Sequence, residues 1–292
     1  MDFFFTQVLS GIAAGTIYAC LALAVVMIYQ AIHHLNFAQG EMAMFSTYLA
    51  WQMLDWGVPY WAAFALTIVL SFALGWILQL VVMRPFRNAP VLSNIVVFIA
   101  LFTIFNSLAG FIWGFDIKTF PSPFGSGPFI ESLRISRHQA GMMAVTMVVL
   151  ALLWAFFRFT RLGLAMRGAA ANPSSSALVG VSVMTMTALG WGMASAIGAV
   201  SGLMVAPIVF LEPNMMLSIL VYSFAGAVVG GLTSPLGAVI GGFLVGIVEV
   251  LVATYVPVIG PELKLPIALA IIIAVLLFRP AGLFGKRSVQ RV

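Results

Sequence analysis

The stretch Ala225–Glu249 reads AGAVVGGLTSPLGAVIGGFLVGIVE, and its one charged residue is the last. Ser234-Pro235 leaves room only for a tight turn, so the flanking apolar segments Met216–Leu232 and Leu236–Tyr255 are expected to form a helical hairpin. Gly226 and Gly230, Gly237 and Gly241, and Gly242 and Gly246 each stand four apart, a spacing that lets helix backbones approach closely in lipid. An uncharged helix needs about 20 residues to cross a hydrocarbon core of roughly 30 Å. The hairpin is therefore read as a bilayer element, one arm of which could re-enter without crossing.

The rest of the 292-residue chain agrees. It is 63% hydrophobic and 7% charged, whereas a soluble domain carries about 25% charged residues. A chain with mean hydropathy +1.14 cannot cover a water-facing surface. Thirteen cations spread over this length form no basic stripe, so a nucleic-acid partner is excluded despite the basic balance. Cys20 stands alone, which excludes a disulfide framework and a thiolate metal site. Met1–Val8 carries Asp2 and no cation, so it lacks the basic region of a cleaved signal peptide and is expected to lead into a retained span.

Nine uncharged stretches qualify as spans: Gln7–Ile32, Leu35–Leu54, Trp61–Val82, Val91–Gly114, Gln139–Phe157, Ala177–Phe210, Met216–Leu232, Leu236–Tyr255 and Pro266–Phe278. The sixth is long enough to begin as a short helix outside the bilayer or to contain a break. The fold expected is an all-α polytopic membrane protein, with about 8–9 membrane-spanning or re-entrant helices in one transmembrane domain over residues 1–292. With the N-terminus outside and the C-terminus cytoplasmic, Arg84, Arg87, Arg158, Arg161, Arg167, Arg279, Lys286, Arg287 and Arg291 all fall inside. Only Lys118, Arg134, Arg137 and Lys264 fall outside, which is the positive-inside pattern. Asp2, Asp55, Asp116, Glu131, Glu212 and Glu262 also lie outside. Trp51, Trp56, Tyr60, Trp61 and Trp113 read as an interfacial aromatic belt.

Two acids remain, Glu41 and Glu249, both inside predicted spans. A carboxylate at the bilayer centre costs about 2.5–3.5 kcal/mol on translocon scales and usually faces protein or water. Glu249 is read either as facing a cavity or partner, or as a protonated structural group. Glu41 is placed near the cytoplasmic side, at a helix start that already favours negative charge. It ends the run LNFAQGE, where Asn36, Gln39 and Glu41 cluster beside Gly40, a residue that allows local unwinding. That run is either a polar patch lining a path or an interfacial helix start, with His33 and His34 as an ordinary turn.

Two loops stand out. Phe115–Arg137, broken by Pro121, Pro123, Gly125, Gly127 and Pro128, is an outer connector or a docking surface. Thr160–Ser176, TRLGLAMRGAAANPSSS, is an inner elbow. Good helix formers over Leu162–Ala171 end at Asn172-Pro173, an N-cap followed by a residue suited to the first helical position. Its apolar Leu162, Leu164, Ala165 and Met166 need a cover, either lipid headgroups or a cytoplasmic partner. No phosphate-binding G-x-x-x-x-G-K-[ST], no H-E-x-x-H and no G-x-S-x-G occurs, and three histidines cannot build a metal cluster. An intramembrane enzyme is disfavoured, and the intramembrane acids come without an intramembrane Lys or Arg. An ion-coupled carrier or channel and a scaffold subunit stay open on the residues alone.

Four segments in order then carry a resemblance: GIAAGTIYACLALAVVMIY (Gly11–Tyr29) followed by LNFAQGE; Thr160–Ser182; Ala225–Glu249; and LFRPAGLFG (Leu277–Gly285). Together they resemble the branched-chain amino acid permeases of ATP-binding cassette (ABC) importers, and more closely the shorter, LivH-like member of the permease pair. The resemblance implies a bacterial inner-membrane subunit that forms, with a second permease, a path for leucine, isoleucine and valine by alternating access. Relatives of the same architecture handle urea, short amides and aromatic acids. The implied partners are two cytoplasmic ATPases, which would use ATP and Mg, and a periplasmic or lipid-anchored solute-binding protein received on the outer loops. This chain itself would bind no cofactor or metal and catalyse nothing. Path candidates are Asn36, Gln39, Gly40, Glu41 and Glu249. The elbow would couple to an ATPase through Thr160, Leu162, Gly163, Leu164, Ala165, Met166, Arg167, Ala170, Asn172 and Pro173. Gln39 stands where the family commonly has His, and Asn172 where Asp is common.

Overall fold

The computed structural model describes residues 2–32, 34–86, 89–125, 127–130, 135–256 and 263–285. His33, Arg87, Glu131, Arg134, Glu262, Lys286, Arg287 and Arg291, named above for turn or topology, lie outside them. Eleven α-helices account for most of the described chain: α1 Asp2–Ile32, α2 Gln39–Asp55, α3 Tyr60–Leu78, α4 Val91–Trp113, α5 Arg137–Phe159, α6 Arg161–Ala171, α7 Pro173–Leu178, α8 Val183–Val209, α9 Leu217–Gly230, α10 Pro235–Tyr255 and α11 Lys264–Phe278. The end of α3 widens into a π-helical turn over Gln79–Met83 and then tightens into a 3-10 turn over Arg84–Phe86.

Each expected span overlaps one of these helices, and among the described residues six are long and apolar enough to cross a bilayer. The chain is thus a multi-pass membrane protein. The helices α2, α9 and α11 are shorter, at 17, 14 and 15 residues. The long sixth stretch begins in the last residues of α7, which ends at Leu178, and α8 then runs unbroken from Val183 to Val209. The loop between α4 and α5 contains an element absent from the sequence reading: Pro128–Ile130 (β1) pairs antiparallel with Ile135–Ser136 (β2). Strands this short carry no readable alternation.

Two compact units make up the chain. The first comprises residues 1–26, 124–143 and 217–292. In it α9 and α10 form the expected hairpin, started by Ser234, whose Oγ accepts from Gly237 N at 3.1 Å, with Pro235 in the first helical turn. Its glycines meet backbone to backbone. A Cβ on Gly226 would lie 2.7 Å from Gly242 Cα, one on Gly241 would strike Gly226 O, and Gly230 and Gly237 face each other across the turn. The other edge of α10 meets α1, where Gly242 abuts Ala19 and Gly246 abuts Gly15. These contacts lie within the chain.

The second unit comprises residues 27–123 and 144–216. Its axis is α8, whose most apolar window is 72% buried, against 11% for α5. Residues on α8 meet α2 and α3, and α2 also meets α4. Trp191, Tyr48, Phe98, Leu203 and Met204 are its large buried side chains. The chain leaves α8 through Phe210, at φ 65° and ψ 160°, a region essentially reserved for glycine. Leu211 is then held by paired backbone bonds with Lys118, both 2.9 Å.

Gly226→Val adds bulk where the nearest atoms are backbone and cannot give way. Overpacking of this kind costs about 1–3 kcal/mol or more. The variant is expected to lose thermal stability in detergent, measured by fluorescence-detected size exclusion. Gly168→Ala, whose Cβ would sit 3.5 Å from Ser176 Oγ, is expected to match or exceed the parent in the same assay.

Candidate functional site

Within the second unit, α2 begins inside the protein. The helix α1 ends at Ile32 and α2 starts only at Gln39, and between them Asn36 and Ala38 are fully buried. Irregular backbone at membrane depth needs internal partners. Asn36 supplies them: its Oδ1 accepts from Ala38 N at 3.0 Å and its carbonyl from Gln39 N at 3.3 Å, an Asx-type turn into the helix. Its Nδ2 points at Met42 Sδ, 3.7 Å away. Gln39 then ties α2 to α8, its Nε2 donating to Ala194 O at 2.9 Å, while its Oε1 is buried without a hydrogen-bond partner. Ala194 lies about 16 Å along α8 from Val183 at 1.5 Å per residue, so α2 starts well inside the unit. Gly40 is helical, and the unwound residues are those before it.

Glu41 is correspondingly displaced from its expected place. It is 1% exposed, and its Oε2 accepts from Asn106 Nδ2 at 3.2 Å. Asn106 lies about 22 Å along α4 from Val91, toward the Trp113 end. Glu41 therefore sits on the side away from Arg84, not beside the basic loops. The physical reason is the turn at 34–38, with Asn36 and Ala38 buried, after which Gln39 anchors the start of α2 to Ala194 of α8. Asn106 Nδ2 also meets Pro213 O and Asn214 Oδ1, each at 3.1 Å. The rest of this face of α2 is aromatic. Phe45 lies 5.3 Å from Phe105 and 5.4 Å from Trp113, Tyr48 stacks on Trp113 at 5.0 Å, and Trp113 Nε1 donates to Gln52 Oε1 at 2.9 Å. Trp113, read as a belt residue, is thus part of this wall, and Lys118 lies over Trp51 at 4.8 Å.

Glu249, in the first unit, has a different setting. Tyr18 Oη donates to its Oε2 at 2.7 Å, Lys264 Nζ lies 3.2 Å from its Oε1, and Tyr18 and Tyr222 rings sit 4.9 Å apart. No Lys or Arg falls inside a predicted span, yet Lys264, which begins α11 just ahead of one, reaches the carboxylate of Glu249 from there. Charge counting places a Lys by its position in the chain, whereas its four-carbon stem lets the ammonium reach elsewhere. Tyr18, Tyr222, Lys264, Asn106 and Asn214 were not among the sequence candidates. Asn106 alone carried a visible signal, an amide in the apolar run of α4.

The elbow folds as its caps dictate. Thr160 Oγ1 accepts from Gly163 N at 3.0 Å to start α6, and Asn172 Oδ1 accepts from Ser175 N at 3.0 Å to start α7, with Pro173 in the first turn. Gly163 lies against the backbone of Phe156 and Phe157, where a Cβ would stand 2.7 Å from Phe157 Cα. The apolar residues divide between two faces. Met166 is buried, lining a cleft with Met27, Gln30, Phe157, Met186 and Ala170, while Ala165 is half-buried. Leu162 and Leu164 are 49% and 63% exposed, and Leu178 and Val179 at the end of α7 are 88% and 79% exposed. Arg158, Arg161 and Arg167 are exposed as well.

The Glu249 cluster gives an asymmetric expectation. Lys264→Met leaves a carboxylate that is 6% exposed without its cation, whereas Glu249→Gln leaves an ammonium that is 34% exposed and can reach water. The first is expected to cost about 3 kcal/mol and the second about 1 kcal/mol. The double variant should recover part of the loss, read as a coupling in thermal unfolding.

A family model described as branched-chain amino acid transport system / permease component matches residues 7–276. The high-affinity branched-chain amino acid transport system permease protein LivH of Escherichia coli K12 is similar at 29% identity over 306 residues, covering 99% of this chain and 98% of that protein. The corresponding protein BraD of Pseudomonas aeruginosa is similar at 30% identity, covering 98% and 97%. A solved structure of PsaBC from Streptococcus pneumoniae in complex with Fab overlays with a TM-score of 0.46 at 13% identity, covering 95% and 91%, a likeness that bears on neither fold nor function. With a family match over nearly its whole length, this chain belongs to the permease components of branched-chain amino acid transport systems.

Proposed function

We propose that the chain is the permease subunit of an ATP-driven importer of the inner membrane, forming with a second permease an alternating-access path for branched-chain amino acids. The observation that carries this reading is the family match across residues 7–276, reached on a chain whose elbow leaves four large apolar side chains in the open. Leu162, Leu164, Leu178 and Val179, with Arg158, Arg161 and Arg167 exposed as well, suit a groove on an ATPase that is apolar at its floor and acidic at its rim. Hydrolysis would take place in the two ATPases, with ATP and Mg, and this chain would convert their closure into rotation of its helices. The tight seat of Gly163 on the end of α5 gives the elbow a stiff connection through which such motion passes. A solute-binding protein would deliver the substrate from the outside. Importers of urea, short amides or aromatic acids share the architecture.

Leu164→Asp is expected to reduce both ATPase co-purification and uptake at least tenfold while the permease still inserts. Gly163→Val should uncouple uptake from hydrolysis by displacing α6. Unchanged uptake and co-purification in both variants would remove the elbow from the mechanism. Transport by the chain without ATPases, driven by a proton or sodium gradient in liposomes, would replace the importer reading with an ion-coupled carrier.

A further inference from the structure

Three oxygens converge on one nitrogen in the second unit. Glu41 Oε2, Pro213 O and Asn214 Oδ1 lie 3.2, 3.1 and 3.1 Å from Asn106 Nδ2. A carboxamide nitrogen carries two hydrogens, so one of the three acceptors is always left over. The charge is mismatched as well: Glu41 is 1% exposed, and among the described residues the ion pair is Lys264–Glu249, with none at Glu41. A single neutral amide, that of Asn106, donates to this buried acid, a costly arrangement unless a cation visits.

We infer that this triad is the subsite for the primary ammonium of the transported solute, with the carboxamide of Asn106 as its placeholder when no solute is bound. The inference rests on the permease reading above and narrows it to amines. An R–NH3+ group carries three hydrogens for three oxygens and a positive charge for the carboxylate. A small metal ion suits the site less, since hard cations take six or more oxygens at about 2.0–2.6 Å. Asn106 is half-buried and Asn214 exposed, so the placeholder can swing aside without unpacking the core. The apolar part of the solute has a matching wall, because Phe45, one turn along α2 from Glu41, and Phe105, next to Asn106, face each other at 5.3 Å. The segment bearing Pro213 and Asn214 is held in place by the Phe210 backbone, φ 65°, and by the Leu211–Lys118 pairing. Strained residues persist where surrounding structure over-determines them, commonly at ligand sites.

The test uses the full importer, with its second permease, ATPases and binding protein, in proteoliposomes supplied with L-leucine or urea. Glu41→Gln keeps an oxygen for Asn106 and removes only the charge. It is expected to lower leucine uptake at least tenfold with unchanged subunit co-purification, while Asp55→Asn, at an exposed position, leaves uptake as in the parent. Asn214→Ala, at the exposed member of the triad, is expected to raise the KM for leucine about three- to tenfold. This second variant keeps the question decidable if Glu41→Gln fails to assemble. Leucine uptake at the parent rate in Glu41→Gln, or an unchanged KM in Asn214→Ala, would overturn the subsite. A parent complex that imports urea and not leucine would overturn it and leave the permease reading standing. Uptake that follows an ion gradient without ATPases would remove both.

Discussion

The second unit depends on where α2 begins, and that is fixed by the hydrogen bond from Gln39 Nε2 to Ala194 O, 2.9 Å long. A helical carbonyl already accepts from the amide four residues on, here that of Gly198, and keeps a second lone pair for a side chain that can reach it. Reaching it requires space beside residue 198. A Cβ on Gly198 would stand 2.8 Å from Gln39 Nε2. The glycine therefore admits the amide, the amide anchors the helix start, and the helix start sets the level of Glu41, Phe45 and Tyr48. Gly202 extends the same seam, lying against Ala43 O.

The two buried acids show how differently one residue type can be accommodated. Glu249 has a cation and a phenol, so its charge is matched within the chain. Glu41 has the neutral amide of Asn106, which stabilises a carboxylate only weakly. A matched acid holds helices together, and removing either partner is a matter of stability. An acid matched only by neutral groups is better suited to exchange partners, and its removal is a matter of specificity.

Much of the architecture was legible because it follows from local chemistry. Asn172-Pro173 and Ser234-Pro235 start helices wherever they occur, and uncharged runs of sufficient length become helices in lipid. The start of α2 was not legible, because hydropathy reports that Leu35–Ala38 is apolar enough to be buried and says nothing of whether it is helical. The level at which α2 begins is set by a tertiary bond to α8, made by residues more than 150 positions apart. The Glu41 site was half legible: the acid announces itself, whereas Asn106, Pro213 and Asn214 become neighbours only through the packing of α4 and the strained exit from α8. The pairing of Lys264 with Glu249 was not legible for a related reason, since a long side chain places its charge several ångströms from its Cα.

The glycine seam between α9 and α10 has a further consequence, in entropy. Where Gly226 meets Gly242 and Gly230 meets Gly237 there are no side-chain rotamers to freeze on folding and none to exchange afterwards. Interfaces that slide during a conformational cycle do so by repacking flexible side chains, and at these glycine contacts there are none to repack. The hairpin is then a single stiff piece, and any motion of the first unit must be taken up elsewhere.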